Sequence, residues 1–236
     1  MKRCVGIIGG MGPLATVDLM AKIIDMTQAA DDSDHLHVIV DSNTHIPSRA
    51  NAILHGGENP LPQLVLSARR LETAGADLLI IACNTAHYYN EGIAASVSIP
   101  VLNMLEETAR HCRRQGYGKV GLLAVDMVLE TGLYHRALAR ENIAFVLPSP
   151  NSQADIMRLV FEGVKQNRFD LDIANLKTEL DAMHASGVDT FILGCTELPI
   201  AFERYGLSLP IVDPTRILAA AAIREAGCEL VKNTMP

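Results

Sequence analysis

The feature that most constrains this 236-residue chain is its similarity to itself. Ala74 to Cys83 reads AGADLLIIAC and Ser186 to Cys195 reads SGVDTFILGC, so Gly75, Asp77, Ile80 and Cys83 recur 112 positions later as Gly187, Asp189, Ile192 and Cys195. SIPVLN from Ser98 returns as SLPIVD from Ser208 at offset 110, and VGIIGG from Val5 as VGLLAV from Val120 at offset 115. Any two buried strands share some apolar residues, but three segments in one order at nearly one offset argue for a duplicated half. Short Val, Ile and Leu runs predict strands at Val5 to Gly9, His37 to Ser42, Leu78 to Ala82, Val101 to Asn103, Val120 to Val125, Ala144 to Leu147, Thr190 to Gly194 and Ile211 to Asp213. Stretches of helical spacing separate them, one through Leu64, Ala68, Leu71 and Ala74 with a capping signal at Gly75. This alternation predicts an α/β fold of two pseudo-symmetric lobes, each an open, mainly parallel sheet flanked by helices. Crossovers near Asn103 and Asp213 would give a first lobe of residues 1–103 plus 214–236 and a second of residues 104–213. Open α/β sheets bind ligands at the carboxyl ends of their strands, which places an expected site in the cleft between the lobes.

Composition removes several function classes. With 49% hydrophobic and 20% charged residues the chain is neither disordered nor a coiled coil. A net charge of −7 provides no overall field for nucleic acid or anionic lipid, so an anionic ligand needs local cations. Lys2 and Arg3 before an apolar stretch imitate a secretory leader, but Gly9, Gly10, Gly12 and Pro13 interrupt it, and a buried strand is expected instead. No apolar run reaches membrane-spanning length. Five cysteines at wide, unequal spacings predict reduced thiols and a cytoplasmic protein rather than a disulfide framework.

Two of those cysteines are candidates for chemistry. Cys83 and Cys195 each end a buried strand and precede polar residues able to start a helix, Asn84 and Thr85 in one case, Thr196 and Glu197 in the other. Outward N–H groups at such a position favour a thiolate. A buried cysteine can be a mere small hydrophobe, a reading that suits Cys4, Cys112 and Cys228, which have no internal counterpart. Two like acid/base groups facing each other suit inversion at carbon, one removing a proton and the other supplying one to the opposite face. Redox chemistry fits less well without a Cys-x-x-Cys pair.

The glycine turn from Gly9 through Met11, Gly12 and Pro13 to Ala15 satisfies a dinucleotide pattern, with Asp41 as a distant acidic companion, and serves equally as a carboxylate cradle at a helix start. His35, His37, His45, His55 and His87 form no recognised metal motif, so satisfied or surface histidines are expected, and no metal. Asp31-Asp32-Ser33-Asp34 reads as a solvated loop. Arg49 and Lys165 are the cations placed to reach a cleft.

GIIGGMGPLAT from Gly6, NTHIPSR from Asn43, ACNTAH from Ala82, IPVLNM from Ile99, FEGVK from Phe161 and GCTELP from Gly194 together make the chain resemble the aspartate/glutamate racemase family, in its aspartate racemase branch. The resemblance covers nearly the whole chain. It implies two lobes, homodimers, no pyridoxal phosphate or other cofactor, and Cys83 with Cys195 as the acid/base pair. It also implies that a small acidic amino acid is held by Met11 and Gly12 of the glycine turn, by Asn84, Thr85 and Thr196, and by Arg49 and Lys165. Glu197 stands where the family has an acidic residue beside the second cysteine, whereas Ser48 replaces the usual acidic residue before the arginine. Aspartate and glutamate differ by one methylene, worth about 1 to 3 kcal/mol in a pocket, and stay undivided. The rival readings are another cysteine isomerase of the superfamily, similar to maleate isomerase, and a non-catalytic protein that binds acidic metabolites.

Overall fold

A computed structural model describes residues 2–232. The elements in order are β1 (Val5–Gly9), α1 (Pro13–Met26), β2 (Val38–Ser42), α2 (Arg49–His55), α3 (Leu61–Thr73), β3 (Leu78–Ile81), α4 (Asn90–Ala94) and α5 (Met104–Arg114). There follow β4 (Lys119–Leu123), α6 (Asp126–Glu130), α7 (Leu133–Arg140), β5 (Ala144–Val146), α8 (Pro150–Arg158), α9 (Ala174–Ala185), β6 (Thr190–Leu193), α10 (Leu198–Arg204), β7 (Ile211–Val212) and α11 (Pro214–Glu225). The chain separates into two compact units, one of the described residues up to Glu107 with those from Thr215 onward, the other Thr108–Pro214.

The first unit holds a parallel sheet ordered β2-β1-β3, the second a parallel sheet ordered β5-β4-β6-β7. The central strands β1, β3, β4 and β6 are buried runs rather than alternating strands, as helix-covered parallel sheets require, while the edge strands β2 and β5 are partly exposed. In the first unit Val5, Ile7, Leu78 and Ile80 pack on Leu19, Ile23 and Met26 of α1 and on Leu218, Ala222 and Ile223 of α11. The opposite face, with Ile8, Leu79 and Ile81, packs on Leu64, Ala68 and Leu71 of α3.

The duplication extends to register. Val5 pairs with Leu78 as Val120 pairs with Thr190, and the bridge Leu79 to Val101 corresponds to the pair Phe191 to Ile211. The repeated Gly-x-Asp explains itself in hydrogen bonds. Asp77 N–H donates to Cys4 O at 2.8 Å while Asp77 Oδ2 accepts from Cys4 N–H at 2.7 Å, and Asp189 repeats both bonds with Lys119 at 2.8 Å each. Each aspartate thus satisfies backbone groups where the ladder ends, and the turns before them place Gly75 and Gly187 at φ values of 100° and 93°. Gly6 and Gly121 also correspond: a Cβ there would sit 2.6 Å from Leu79 Cδ2 or 2.4 Å from Phe191 Cδ1.

Three expectations change in detail. Val101 makes one bridge and no strand, because Asn103 Oδ1 accepts from Leu105 and Glu106 N–H groups and turns the chain into α5. His35 and His37 precede β2 rather than lining it. The acidic run folds into a single exposed 3₁₀ turn, Asp32–Asp34, capped by Asp31 through Ser33 N–H at 2.8 Å. Among the described residues no helix is long and apolar enough to cross a membrane, and no three His, Cys, Asp or Glu side chains are grouped to hold a metal ion.

Candidate functional site

In the first unit, β1 and β3 end side by side, with Ala82 N–H donating to Ile8 O at 3.0 Å. The glycine turn follows β1. Gly10 has φ of 86°, and a Cβ on it would lie 2.4 Å from the Asn43 carbonyl carbon, so only glycine lets this turn meet the loop after β2. Gly10 N–H donates to Thr16 Oγ1 at 2.9 Å, Gly12 is the N-cap of α1, and Pro13 occupies its first turn, where a missing N–H costs nothing. Met11 is buried, and its carbonyl accepts from Arg49 Nη2 at 3.3 Å.

Arg49 opens α2. Its Nη1 donates to the carbonyls of Pro47 at 3.0 Å and Ile46 at 3.4 Å, so part of its fork ties the loop to the glycine turn. The remaining Nε is buried without a hydrogen-bond partner among the described residues. Ser48 is the N-cap of α2, its Oγ accepting from Asn51 N–H at 3.2 Å. Serine caps about as well as aspartate and carries no charge.

Cys83 follows β3 and is buried, with Sγ 3.1 Å from Thr85 Oγ1. Asn84 is buried and precedes a 3₁₀ turn, Thr85–Tyr89. His87 in that turn has Nδ1 2.8 Å from Cys83 O and Nε2 3.1 Å from Met104 N. Burial lowers its pKa to about 4, against partial support for the charged form from hydrogen bonding to Cys83 and Asn84.

In the second unit the equivalent strand end carries a different neighbourhood. Gly194 N–H donates to Leu123 O at 2.7 Å, and Cys195 follows, buried, its Sγ donating to Glu197 Oε2 at 3.1 Å. Thr196 Oγ1 donates to the same oxygen at 3.1 Å, while Glu197 Oε1 lies 3.6 Å from Lys165 Nζ. Burial, then the adjacent Glu197 carboxylate, pushes the Cys195 thiol well above its ordinary pKa, so it rests protonated. Lys165 follows a π-helical stretch, Leu159–Val164, its N–H reaching back to Val160 O at 3.1 Å, and Nζ stands 4.9 Å from the Phe161 ring centre. Such wide turns re-aim the side chain that follows.

Within the first unit the structure gathers Met11, Gly12 and Arg49 at one loop cluster, with Ser48 capping behind them, and joins Cys83 to Thr85. Within the second it gathers Cys195, Thr196, Glu197 and Lys165. Sequence reasoning expected satisfied or surface histidines, and His87 is a buried, satisfied one, but that reasoning missed its partnership with Cys83. It also missed Tyr134, fully buried, whose ring would stand 3.1 Å from a Cβ on Gly194, directly before Cys195. Asp41 points toward Arg70 at 3.9 Å, not toward the glycine turn.

Residues 8–222 match the Asp/Glu/Hydantoin racemase family. The chain belongs to that family. It is 28% identical over 225 residues to the broad specificity amino-acid racemase RacX of Bacillus subtilis, covering 93% of this chain and 96% of that one. It is 29% identical over 168 residues to the glutamate racemase of Geobacter metallireducens, covering 66% and 60%. Among solved structures, the Picrophilus torridus aspartate racemase aligns with a TM-score of 0.81 at 32% identity, over 98% of this chain and 96% of that one. The racemase family makes this chain one of a family of enzymes, and the α/β architecture of two parallel sheets is the one its aspartate racemase neighbour shares.

Proposed function

We propose that the protein is a cofactor-independent racemase of small acidic amino acids, aspartate first and glutamate second, working by two-base proton transfer between Cys83 and Cys195. The observation that carries this reading is the placement of one cysteine at the same strand end of each duplicated half, each with a hydrogen-bonding partner two residues on. The reading requires the two thiols to serve opposite faces of one carbon. In one direction the Cys83 thiolate takes the α-proton, the α-carbon holds the electron pair as a carbanion delocalised into its carboxylate, and Cys195 gives its proton to the other face. The cycle leaves Cys83 protonated and Cys195 as thiolate, and the reverse reaction starts from that state. Reset without the reverse reaction needs one proton to leave Cys83 for water and one from water to reach Cys195, which Glu197, hydrogen-bonded to Cys195, can relay.

The unpartnered Arg49 Nε and the partly exposed Lys165 ammonium would hold the two substrate carboxylates, Arg49 orienting and Lys165 neutralising. The N–H groups after Cys83 and around Gly12, with Asn84, Thr85 and Thr196, complete the cradle. We place this activity in the cytoplasm and in a homodimer, following the family resemblance. The aspartate racemase neighbour supports the substrate class, while the RacX relative and the uncharged Ser48 favour including neutral amino acids in the trial. The test is proton NMR in D2O with each enantiomer of aspartate, glutamate and alanine, without added cofactor or metal. Loss of the α-proton signal with appearance of the other enantiomer is expected for aspartate. Binding without exchange would favour a non-catalytic protein that binds acidic metabolites, and activity abolished by borohydride with bleaching of a visible imine band would replace the cysteine mechanism.

A further inference from the structure

The His87 ring sits between a carbonyl and an N–H, and that fixes its proton. Met104 N can only donate, so Nε2 at 3.1 Å accepts, and the ring hydrogen is left on Nδ1, donated to Cys83 O at 2.8 Å. The ring is buried and links the backbone of Cys83 to the first residue of α5. The corresponding place in the second half is built differently. At offset 112 from His87 stands Pro199, and there the Cys195 carbonyl accepts the backbone N–H of Leu198 at 3.0 Å instead.

We infer that His87 is a positioning residue for Cys83 alone, holding the cysteine's backbone, and through it the thiol, where one face of the substrate needs it. This rests on the racemase reading above. A thiol displaced by a fraction of an ångström from its line to the α-carbon loses proton-transfer rate steeply. Racemisation itself cannot show which face suffers, because the equilibrium constant is one and the two directions must keep equal kcat/KM.

An irreversible half-reaction can show it. With 3-chloroaspartate, one cysteine removes the α-proton, the electron pair forms the Cα–Cβ double bond, and chloride departs with the C–Cl pair. The enamine tautomerises and hydrolyses in water to oxaloacetate and ammonium. Each α-configuration tests one thiol, and Cys83→Ser identifies which configuration Cys83 serves. His87→Leu should slow elimination from that configuration about 10- to 100-fold and leave the other within about twofold. His87→Asn, whose amide can donate to Cys83 O, should recover most of the rate. His87→Gln, whose amide oxygen can reach toward Met104 N–H, should not. Equal slowing of both configurations, or rescue by glutamine rather than asparagine, overturns the assignment.

If the wild-type protein neither exchanges nor eliminates with any of these substrates, it is the racemase reading that fails. His87 is then judged by iodoacetamide labelling of Cys83 relative to Cys195, read by peptide mass spectrometry. A labelling ratio that changes in His87→Leu and returns in His87→Asn supports positioning, and an unchanged ratio overturns it. Circular dichroism, together with the unaffected configuration or Cys195 labelling, separates misfolding from either result.

Discussion

Acid should loosen this protein through one ring. The His87 imidazole is neutral in the fold because burial lowers its pKa to about 4 from an ordinary 6.5. An unfolded chain protonates that ring near the ordinary value, so between the two values the unfolded state binds more protons and stability falls as pH falls. Above about 6.5 the ring contributes no pH dependence, and below about 4 the whole contribution is gone. At about 1.4 kcal/mol for each pH unit between them, the full loss is about 3 kcal/mol, of which about 2 kcal/mol is felt by pH 5. The cause is specific: a protonated ring would turn Nε2–H against the Met104 N–H, two donors face to face in a buried place. Urea unfolding followed by circular dichroism at several pH values, for wild type and His87→Asn, measures the effect as a difference in slope. The asparagine variant starts from a lower stability but should lack this part of the acid dependence, the carboxylates being common to both. Parallel curves for the two proteins would refute the neutral, buried assignment of the ring.

Three further outcomes are expected. Cys83→Ser and Cys195→Ser should each remove racemisation by about 10² to 10⁴ or more with the fold retained, whereas Cys112→Ser, whose thiol burial pushes up to about 12, should leave activity in place, all read by polarimetry and circular dichroism. Arg49→Ala should cost about 2 to 4 kcal/mol in kcat/KM for aspartate, and Arg49→Lys should recover little, since an ammonium cannot serve a carboxylate and the Met11, Ile46 and Pro47 carbonyls together. Alanine should lose less, and equal losses for both substrates would confine Arg49 to holding its loop. Ser48→Ala should lower stability by about 0.5 to 2 kcal/mol through loss of the α2 cap, whereas Ser48→Asp should keep it, as judged by thermal unfolding.

The fold was legible because duplication and burial leave a double record. The central strands of these parallel sheets are apolar runs, and β1 and β3 recur as β4 and β6, so weak signals such as VGLLAV gain weight from VGIIGG. Strand ends were less legible, since hydrogen bonding rather than hydropathy decides them. Val101 to Asn103 is as apolar as Ile211 to Asp213, yet Asn103 turns its side-chain oxygen to two N–H groups of α5 and ends the run at one bridge. Cys83, Cys195 and Glu197 were visible as a repeated position with polar followers. The partnership of His87 was not, because besides the Cys83 carbonyl four residues back it takes the N–H of Met104, 17 residues on, and no spacing rule reports such a link. Arg49 was visible as a cation, but its three backbone carbonyl partners depend on loops whose paths composition does not set.

Duplication has therefore produced two cysteines alike in backbone place and unlike in chemistry. Asp77 and Asp189 satisfy the same edge of each sheet, and Gly6 and Gly121 let the same strands approach, so the scaffold was preserved as a unit. Around the thiols the halves diverge: Cys83 meets a hydroxyl and a neutral ring behind its carbonyl, Cys195 a carboxylate shared with Thr196 and Lys165. A carboxylate 3.1 Å from a buried thiol holds the proton on sulfur, whereas a hydroxyl can donate to a thiolate as readily as accept from a thiol. The two-base mechanism proposed above needs one acid and one base together, and two identical environments would favour the same protonation state on both sides. In that mechanism Cys195, held protonated by burial and Glu197, would be the acid.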